Sequence, residues 1–215
     1  MTSETSFTFT PAVEGLNVTR EAYLTSHPHI QRLMTGIVVF STTSSSPRVL
    51  VLRRAAEDSY PLNWEVPGGS VDATDASLLA AAARELREET ALRVSRFLAP
   101  VLMVDETHPA HTVPRDVQLT FGVAPEDEDD KVDADGLAVT FMETGRVWGK
   151  ATVLAEVVDE GEVACDPKEH DEWRWLSEKE ALECRFEDGT GIKWTSDGVR
   201  KTVLEAFRLR TAGEV

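Results

Sequence analysis

The spacing of hydrophobic positions divides the chain into strand-like runs and helix-like stripes. Segments rich in apolar residues at 33–40, LMTGIVVF, and 48–55, RVLVLRRA, have the length of buried strands, and the Ser-rich segment 41–47 between them predicts a turn. A hairpin joining these two strands is therefore expected. Similar runs predict further strands at residues 93–104, 117–124 and 148–158.

The most regular helical pattern lies at residues 75–90, DASLLAAAARELREET. Alanine and leucine have high intrinsic helix propensity. Thr74 or Asp75 is predicted to cap the helix N-terminus. Apolar residues recur at spacings of three and four, which predicts one buried stripe formed by Leu79, Ala82, Ala83 and Leu86.

Two more helices are predicted in the last third of the chain. Ser177 and Glu180 form an S-x-x-E capping box directly after a short strand-like run. Residues 196–210 form an amphipathic pattern whose inward positions are Val199, Val203, Ala206 and Phe207 or Leu209. Strands alternating with a few helices predict an α/β domain at residues 26–212, after an N-terminal extension at 1–25.

Charge and composition limit the classes of partner. Acidic residues outnumber basic ones by 38 to 22, so the net charge is −16. This charge disfavours nucleic acid polymers and anionic membranes, but a small phosphorylated substrate stays possible if a metal ion or arginines neutralise it. No apolar run reaches the roughly 20 residues that cross a bilayer. The N-terminus lacks a signal-peptide pattern, so a cytoplasmic location is predicted.

Three glutamates in the first helical segment carry the strongest chemical signal. Glu85, Glu88 and Glu89 share one helix face, with Cβ atoms about 5–6 Å apart. Their repulsion would destabilise the helix unless a cation such as Mg²⁺ compensates for it. A solvated, charged helix face is the alternative. The Pro-Gly-Gly break at 67–69 favours the ion site, because glycine lets the backbone approach a ligand closely.

Residues 69–92, GSVDATDASLLAAAARELREETAL, resemble the Nudix box, G-x5-E-x7-R-E-U-x-E-E-x-G-U, where U is aliphatic. The preceding WEVPG also fits the approach to this box. The matching positions are Gly69, Arg84, Glu85, Leu86, Glu88, Glu89 and Leu92.

Two positions depart from the Nudix box. The spacing from Gly69 to Arg84 is one residue too long, and Asp75 takes the place of the first Glu if the extra residue lies at the start of the helix. Ala91 replaces the final Gly, which would end the helix in the left-handed conformation. An alanine there costs about 1 kcal/mol, so this departure concerns stability more than chemistry.

The resemblance implies a Nudix-type α/β/α sandwich with a central mixed sheet. It also implies an enzyme that hydrolyses the diphosphate linkage of a nucleoside diphosphate derivative or of a similar small diphosphate. Arg84 would orient a glutamate by a charge-assisted hydrogen bond. The cofactor would be Mg²⁺ or Mn²⁺, held by Gly69, Glu85, Glu88 and Glu89.

The family often uses a further acid outside the box, as a metal ligand or a base. The segment DPKEHDEW at 166–173 is the candidate. Glu169 is the first choice, with His170 and Glu172 behind it. For each of them a surface loop charge is the alternative.

Several residues near the box are candidates for substrate contacts. Arg53 and Arg54 end a strand that should run beside the site, so one of them could bind phosphate. Gly68 and Gly69 could bring the backbone against the substrate. Trp64 could stack on a base or fill the core, and the core is the favoured alternative.

Two polar segments lie between the later strands. Residues 105–118 carry His108, His111 and Arg115 and are predicted to be a substrate-side loop. The acidic run at 125–136 lacks the ligand spacing of a calcium loop and is predicted to be a solvated loop.

Two rival functions are left open by the sequence. One is a Nudix-fold enzyme that acts on a non-nucleotide small molecule, and the other is a non-catalytic ligand-binding Nudix domain. ADP-ribose, dinucleotide cofactors, oxidised nucleotides, coenzyme A and prenyl diphosphates are all open as substrates. The negative charge disfavours RNA caps and inositol polyphosphates. Either a monomer or a homodimer is compatible with the sequence.

Overall fold

The computed structural model describes residues 6–104 and 130–213. Its strands are β1 Thr8–Phe9, β2 Arg32–Val39, β3 Val49–Arg54, β4 Trp64–Glu65, β5 Val94–Pro100, β6 Lys131–Val132, β7 Val139–Glu143, β8 Arg146–Val157 and β9 His170–Leu176. Its helices are a 3₁₀ helix at Pro11–Leu16, followed by α1 Arg20–Ser26, α2 Leu78–Thr90, α3 Glu178–Glu183 and α4 Asp197–Ala212.

The strands form a larger mixed sheet and a smaller antiparallel one. The long strand β8 is the centre of the larger sheet, where it pairs in parallel with β2 along one edge. Its other edge pairs antiparallel with β5 near the end of β8 and with β7 near its start. The smaller sheet has the order β4-β3-β9. The predicted α/β architecture with a central mixed sheet is thus confirmed.

Side chains that alternate along the strands form two separate hydrophobic cores. Val39 and Leu50 belong to the core beneath α2, whereas Val38 and Val49 belong to the core beneath α3 and α4. Successive side chains of a strand point to opposite faces, so each strand can serve both cores. This alternation places helices on both sides of the strands and gives the layered arrangement of a sandwich.

The predicted hairpin between the first two strands is wrong. β2 pairs with β8 in one sheet, and β3 pairs with β4 and β9 in the other. A single bridge between Phe40 and Val49 joins their ends. The connecting loop folds around the distant Glu160, whose carboxylate accepts hydrogen bonds from the backbone N–H groups of Thr42 and Thr43 at 2.7 and 3.0 Å. The strands therefore diverge after the turn.

The helices agree with their predicted patterns except at one cap. The predicted stripe Leu79, Ala82, Ala83 and Leu86 is buried. The N-cap of α2 is Ser77, whose hydroxyl accepts from the N–H of Ala80 at 3.1 Å, so the predicted cap at Thr74 or Asp75 is wrong. Asp75 lies before the helix and pairs with Arg84 instead. The capping box of α3 and the buried face of α4 are confirmed.

Residues 6–25, which the sequence assigns to an N-terminal extension, pack against the rest of the fold. β1 pairs in parallel with β5. Val13, Leu16 and Tyr23 are buried in the same core as α2. The domain boundary at residue 26 stays a prediction.

Some predictions fall outside the described residues. These are the strand at 117–124, the loop at 105–118 with His108, His111 and Arg115, and the start of the acidic run at 125–129. The rest of that run was predicted to be a loop, but Lys131–Val132 form strand β6, which pairs with β7. Among the helices of the described ranges, none has the length and apolar character needed to cross a bilayer.

Candidate active site

The turn between β4 and α2 packs closely against both a strand and a helix. Gly68 has a φ of +151°, and a Cβ atom on it would lie 2.1 Å from the carbonyl oxygen of Thr35. A Cβ on Gly69 would lie 2.7 Å from the carboxylate of Glu85. The N–H of Thr35 donates to the Gly69 carbonyl at 2.8 Å. Gly68 leaves no room for a side chain because its neighbour is backbone, whereas a side chain at Gly69 would displace the carboxylate of Glu85.

Arg84 connects the turn to the helix carboxylates. Its Nε and Nη2 atoms donate to the two carboxylate oxygens of Asp75 at 3.0 and 2.9 Å. Its Nη1 atom donates to Glu85 at 2.8 Å and to Glu88 at 3.0 Å. These contacts, those with Asp75 above all, raise the pKa of Arg84. Arg84 thus binds Asp75, and that Asp75 takes the place of the first Glu of the box stays a prediction.

Glu89 is held by a different group. The N–H of Gly68 donates to its carboxylate at 2.7 Å, and the side chain is buried. Burial raises the pKa of Glu89 to about 9; the Gly68 hydrogen bond opposes this change, and the nearby carboxylates of Glu65, Glu85 and Glu169 reinforce it. Near neutral pH this carboxyl is protonated unless a cation replaces the proton.

Glu89 lies beside two residues of the segment predicted to supply an outside acid. Ligand atoms of Glu89, Glu169 and His170 all lie within 4.8 Å of one another. His170 is buried, and its Nδ1 atom has no hydrogen-bond partner and lies 3.8 Å from a carboxylate oxygen of Glu89. This converging set with an unsatisfied buried atom fits a bound divalent ion. Glu172 does not join it, because Arg53 and Arg174 bind its carboxylate at 2.7 and 2.6 Å.

The three box glutamates therefore have two sets of partners. Glu85 and Glu88 meet at the guanidinium of Arg84, whereas Glu89 faces Glu169 and His170. Burial raises the pKa of Glu85, although the charge of Arg84 opposes this change. Glu88 is half-exposed. The helix spacing places the three acids in one region, where they contact two different sets of partners.

A buried network that the sequence did not predict extends this site. Glu65 accepts a hydrogen bond from Arg54 at 2.6 Å and lies 3.3 Å from Nε2 of His170. Burial alone would raise the pKa of Glu65, but His170, Lys150 and Arg54 together hold it below its usual value. Burial lowers the pKa of Lys150. Glu65 within NWEV and Lys150 within WGKATVLAEVV were the available signals, because buried charges are rare without partners.

The two arginines proposed for phosphate binding have different surroundings. Arg53 binds Asp171 and Glu172 at 2.8 and 2.7 Å, on the neighbouring strand β9. Arg54 binds Asp58 and Glu65, both at 2.6 Å, and so belongs to the network that reaches Glu89. Of the two, only Arg54 joins this network, although phosphate binding stays a prediction for both.

Trp64 lies in the core. Its side chain is only 2% exposed and packs edge-on against Phe186, with ring centroids 4.9 Å apart. The guanidinium of Arg53 lies 5.8 Å from its ring centroid. Because no face of the ring is open, the structure contradicts base stacking by Trp64 and supports the core alternative.

Comparison with known proteins places this geometry in a family. A family model described as the NUDIX domain matches residues 31–195. A curated protein, the uncharacterized Nudix hydrolase NudL of Enterobacter sp. (strain 638), is 38% identical over 64 residues. That match covers 29% of this chain and 33% of the relative. The chain thus matches about a third of the relative's length.

Solved structures share the fold at low sequence identity. The MutT protein of Methanosarcina mazei Go1 is 19% identical, with a TM-score of 0.51 over 84% of this chain and 94% of that one. The Nudix domain of Shewanella oneidensis NrtR is 16% identical, with a TM-score of 0.52 over 90% of this chain and 99% of that one. The E. coli ORF135 protein gives 17% identity and a TM-score of 0.52, covering 86% of this chain and 95% of its own.

These neighbours support the fold, and the family match includes the turn, α2 and the segment that carries Glu169. The predicted family is confirmed, and so is its predicted architecture. This chain belongs to the Nudix family.

Proposed function

We propose that the chain is a divalent-metal-dependent hydrolase that cleaves the diphosphate linkage of a nucleoside diphosphate derivative or of a similar small diphosphate. The observation that carries this proposal is the convergence of Glu89, Glu169 and His170 within 4.8 Å, at the helix that bears the box. The chain has a net charge of −16, so an anionic substrate needs local positive charge.

The residues that would hold Mg²⁺ or Mn²⁺ are the box glutamates, Glu169 and the carbonyl of Gly69. When bound, such ions neutralise phosphate oxygens and make water a competent nucleophile near neutral pH. The Gly69 carbonyl accepts one hydrogen bond, from Thr35, and has a second lone pair for a ligand. Oxygen donors of this kind are those that Mg²⁺ prefers.

Other groups of the turn and the helix hold these donors in place. Arg84 fixes the carboxylates of Glu85 and Glu88, and the Gly68 N–H fixes Glu89. Such outer contacts orient metal ligands and influence affinity and activity. Arg54 supplies positive charge near Glu89 and is the candidate to bind a substrate phosphate.

The reaction consumes one water molecule. The water oxygen bonds to one phosphorus atom as the bond from that phosphorus to the bridging oxygen breaks. A diphosphate esterified at both ends gives two phosphate monoesters, and a terminal diphosphate gives one monoester and inorganic phosphate. The proton released from water passes to a carboxylate and then to solvent. Glu169 is exposed to solvent, so it can serve as this proton acceptor or as a metal ligand.

The substrate class is open among small diphosphates. The Nudix domain of S. oneidensis NrtR was solved in complex with ADP ribose, which makes ADP-ribose a compound to include. The panel of compounds to test as substrates also contains dinucleotide cofactors, oxidised nucleotides, coenzyme A and prenyl diphosphates. The products to measure are phosphate monoesters.

The test compares the chain with a Glu88→Gln and Glu89→Gln double variant in the presence of Mg²⁺. We expect turnover of at least one diphosphate, and a loss of at least about 100-fold in kcat/KM in the double variant, because two metal ligands lose their charge. A charge-matched control is the double variant Glu156→Gln and Glu162→Gln, since both residues are exposed. This control should retain activity.

Two outcomes would contradict the proposal. Full activity in the Glu88→Gln and Glu89→Gln variant would exclude the mechanism. Absence of turnover for every diphosphate, together with tight binding of a small molecule, would favour the non-catalytic ligand-binding alternative.

A further inference from the structure

A second group of potential metal ligands lies apart from the box. It consists of His27, at the end of α1, and of Asp133 and Asp135, in the turn between β6 and β7. Their ligand atoms lie within 4.8 Å of one another. His29 adds a second imidazole, whose Nε2 atom lies 3.0 Å from Asp133. None of these residues belongs to the box or to the segment that carries Glu169.

Asp133 has an unsatisfied buried oxygen in this group. Its side chain is 9% exposed, and its Oδ2 atom has no hydrogen-bond partner. That atom lies 4.0 Å from Nε2 of His27. The other oxygen, Oδ1, accepts from the N–H of Ala134 at 2.9 Å and faces His29. A buried carboxylate oxygen without a partner is costly, so its position beside an imidazole calls for a cation.

Both ring nitrogens of His27 have polar neighbours. Nδ1 lies 2.9 Å from the backbone carbonyl of Tyr23 and 3.1 Å from the hydroxyl of Ser26. Nε2 lies 2.8 Å from Oδ2 of Asp135, which also accepts a hydrogen bond from the hydroxyl of Tyr23 at 3.4 Å. When Nδ1 donates to the Tyr23 carbonyl, the neutral ring presents the lone pair of Nε2 to the aspartates, which is the arrangement typical of histidine metal ligands.

A proton and a metal ion would satisfy this group to different extents. A proton on Nε2 of His27 would serve Asp135 alone and leave Oδ2 of Asp133 without a partner. A metal ion would serve all three atoms at once. In the described part of the chain, the ion-pair partners of Asp133 and Asp135 are histidines. The Tyr23 ring stacks on His27, with ring centroids 4.0 Å apart.

We propose that His27, Asp133 and Asp135 form a second cation site, specific for a divalent transition metal of the zinc type, with His29 available as a fourth ligand. The mixed nitrogen and carboxylate donors suit Zn²⁺ and its neighbours better than Mg²⁺ or Ca²⁺, which prefer oxygen alone. Tetrahedral ligands about 2.0–2.1 Å from a zinc ion lie roughly 3.4 Å apart. The observed separations of 2.8 and 4.0 Å from Nε2 of His27 lie on either side of this value.

The site would join the chain directly after α1 to the larger sheet. His27 follows α1, whereas the two aspartates precede β7, which pairs with β8. An ion bound there would connect segments about a hundred positions apart, and binding only to the folded state would stabilise it. The expected role is therefore structural and independent of hydrolysis.

The test titrates the chelator-treated full chain with Co²⁺ and Zn²⁺ in excess Mg²⁺, which keeps the box ligands occupied. We expect one equivalent of Co²⁺ to bind with the visible absorption of a four- or five-coordinate ion and to be displaced by Zn²⁺. Asp133→Asn and His27→Gln should each weaken this binding at least 10-fold while leaving Mg²⁺-dependent hydrolysis unchanged. Zn²⁺ should raise the unfolding midpoint of the unaltered chain and leave that of both variants unchanged.

Two controls separate this site from the box. Asp159→Asn removes one exposed carboxylate outside the group and should bind Co²⁺ normally. The Glu88→Gln and Glu89→Gln variant should also retain the Co²⁺ spectrum, so failure of the proposed hydrolysis would leave this result intact. Circular dichroism confirms that each variant is folded. Absence of the Co²⁺ equivalent, or unchanged binding in folded Asp133→Asn and His27→Gln, would overturn the proposal and show a histidine–carboxylate ion pair only.

Discussion

At the scale of single residues, backbone conformation explains where this chain matches the Nudix box and where it departs from it. Gly68 and Gly69 lie where a Cβ would collide with Thr35 and Glu85. Ala91, by contrast, has a φ of +62° in the left-handed region, although no glycine is present. The chain thus keeps glycine where a contact demands it and accepts strain at the end of α2.

Replacing Ala91 with glycine should stabilise the protein. Glycine adopts the left-handed conformation without steric cost, so Ala91→Gly should increase the free energy of unfolding by about 1 kcal/mol. Urea denaturation measures this change. Ala80→Gly, in the same helix, is the control and should decrease stability by about 1 kcal/mol, because its conformation is helical. A decrease in both variants would show that Ala91 is not strained.

At the scale of elements, the N-terminal cap of α3 is formed by neighbouring residues and is strengthened by contacts with distant ones. The capping box of α3 was predicted from four consecutive residues because both of its hydrogen bonds lie within them. The same carboxylate of Glu180 also accepts from the N–H of Glu187 at 3.0 Å and lies 3.4 Å from Arg48. The cap therefore ties α3 to the loop after it and to the start of β3.

The charge of Glu180 should make stability depend on pH. Burial alone would raise its pKa, but hydrogen bonds from Ser177 and Glu187 and the charge of Arg48 hold that pKa below its usual value. A lowered pKa stabilises the folded state above the ordinary glutamate pKa, and this contribution is lost as pH falls through the lower folded value. Glu180→Gln should therefore cost about 1–2 kcal/mol at pH 7.

Chemical denaturation at several pH values measures this difference. The gap between the unaltered chain and Glu180→Gln should narrow as the pH falls below the ordinary glutamate pKa of about 4.3. Glu183→Gln, on the same helix but more than half exposed, should change stability by less than about 0.5 kcal/mol at any pH. A constant gap across the pH range would show that the effect of Glu180 does not come from its charge.

At the scale of the whole molecule, residues 6–25 are the main addition to the predicted picture. Their weak pattern suggested an extension, but Leu16 is fully buried beneath α2 and β1 extends the larger sheet. The proposed metal site would hold the chain just after this segment, at His27. These contacts make the N-terminal segment part of the packed structure.

Leu16→Ala should measure that contribution. Removing a fully buried leucine side chain should cost about 2–5 kcal/mol, because it leaves a cavity in the core. Leu62→Ala, at a leucine that is 48% exposed, should cost less than about 1 kcal/mol. Thermal or urea unfolding of both variants provides the comparison. Equal, small losses would support a domain that begins at residue 26.

The sequence by itself determined the helix α2, its buried stripe, its glutamates and the family, because these depend on spacing within 24 consecutive residues, 69–92. It also identified Glu169 as the candidate acid outside the box, but only through the resemblance to the Nudix family. The tertiary structure decided that Glu89 meets Glu169 and His170, that β2 and β3 enter different sheets, and that Trp64 fills the core. Glu89 and Glu169 lie 80 positions apart, and their meeting depends on how β9 pairs with β3. Local patterns carry no information about such a pairing, since it is set by long-range packing.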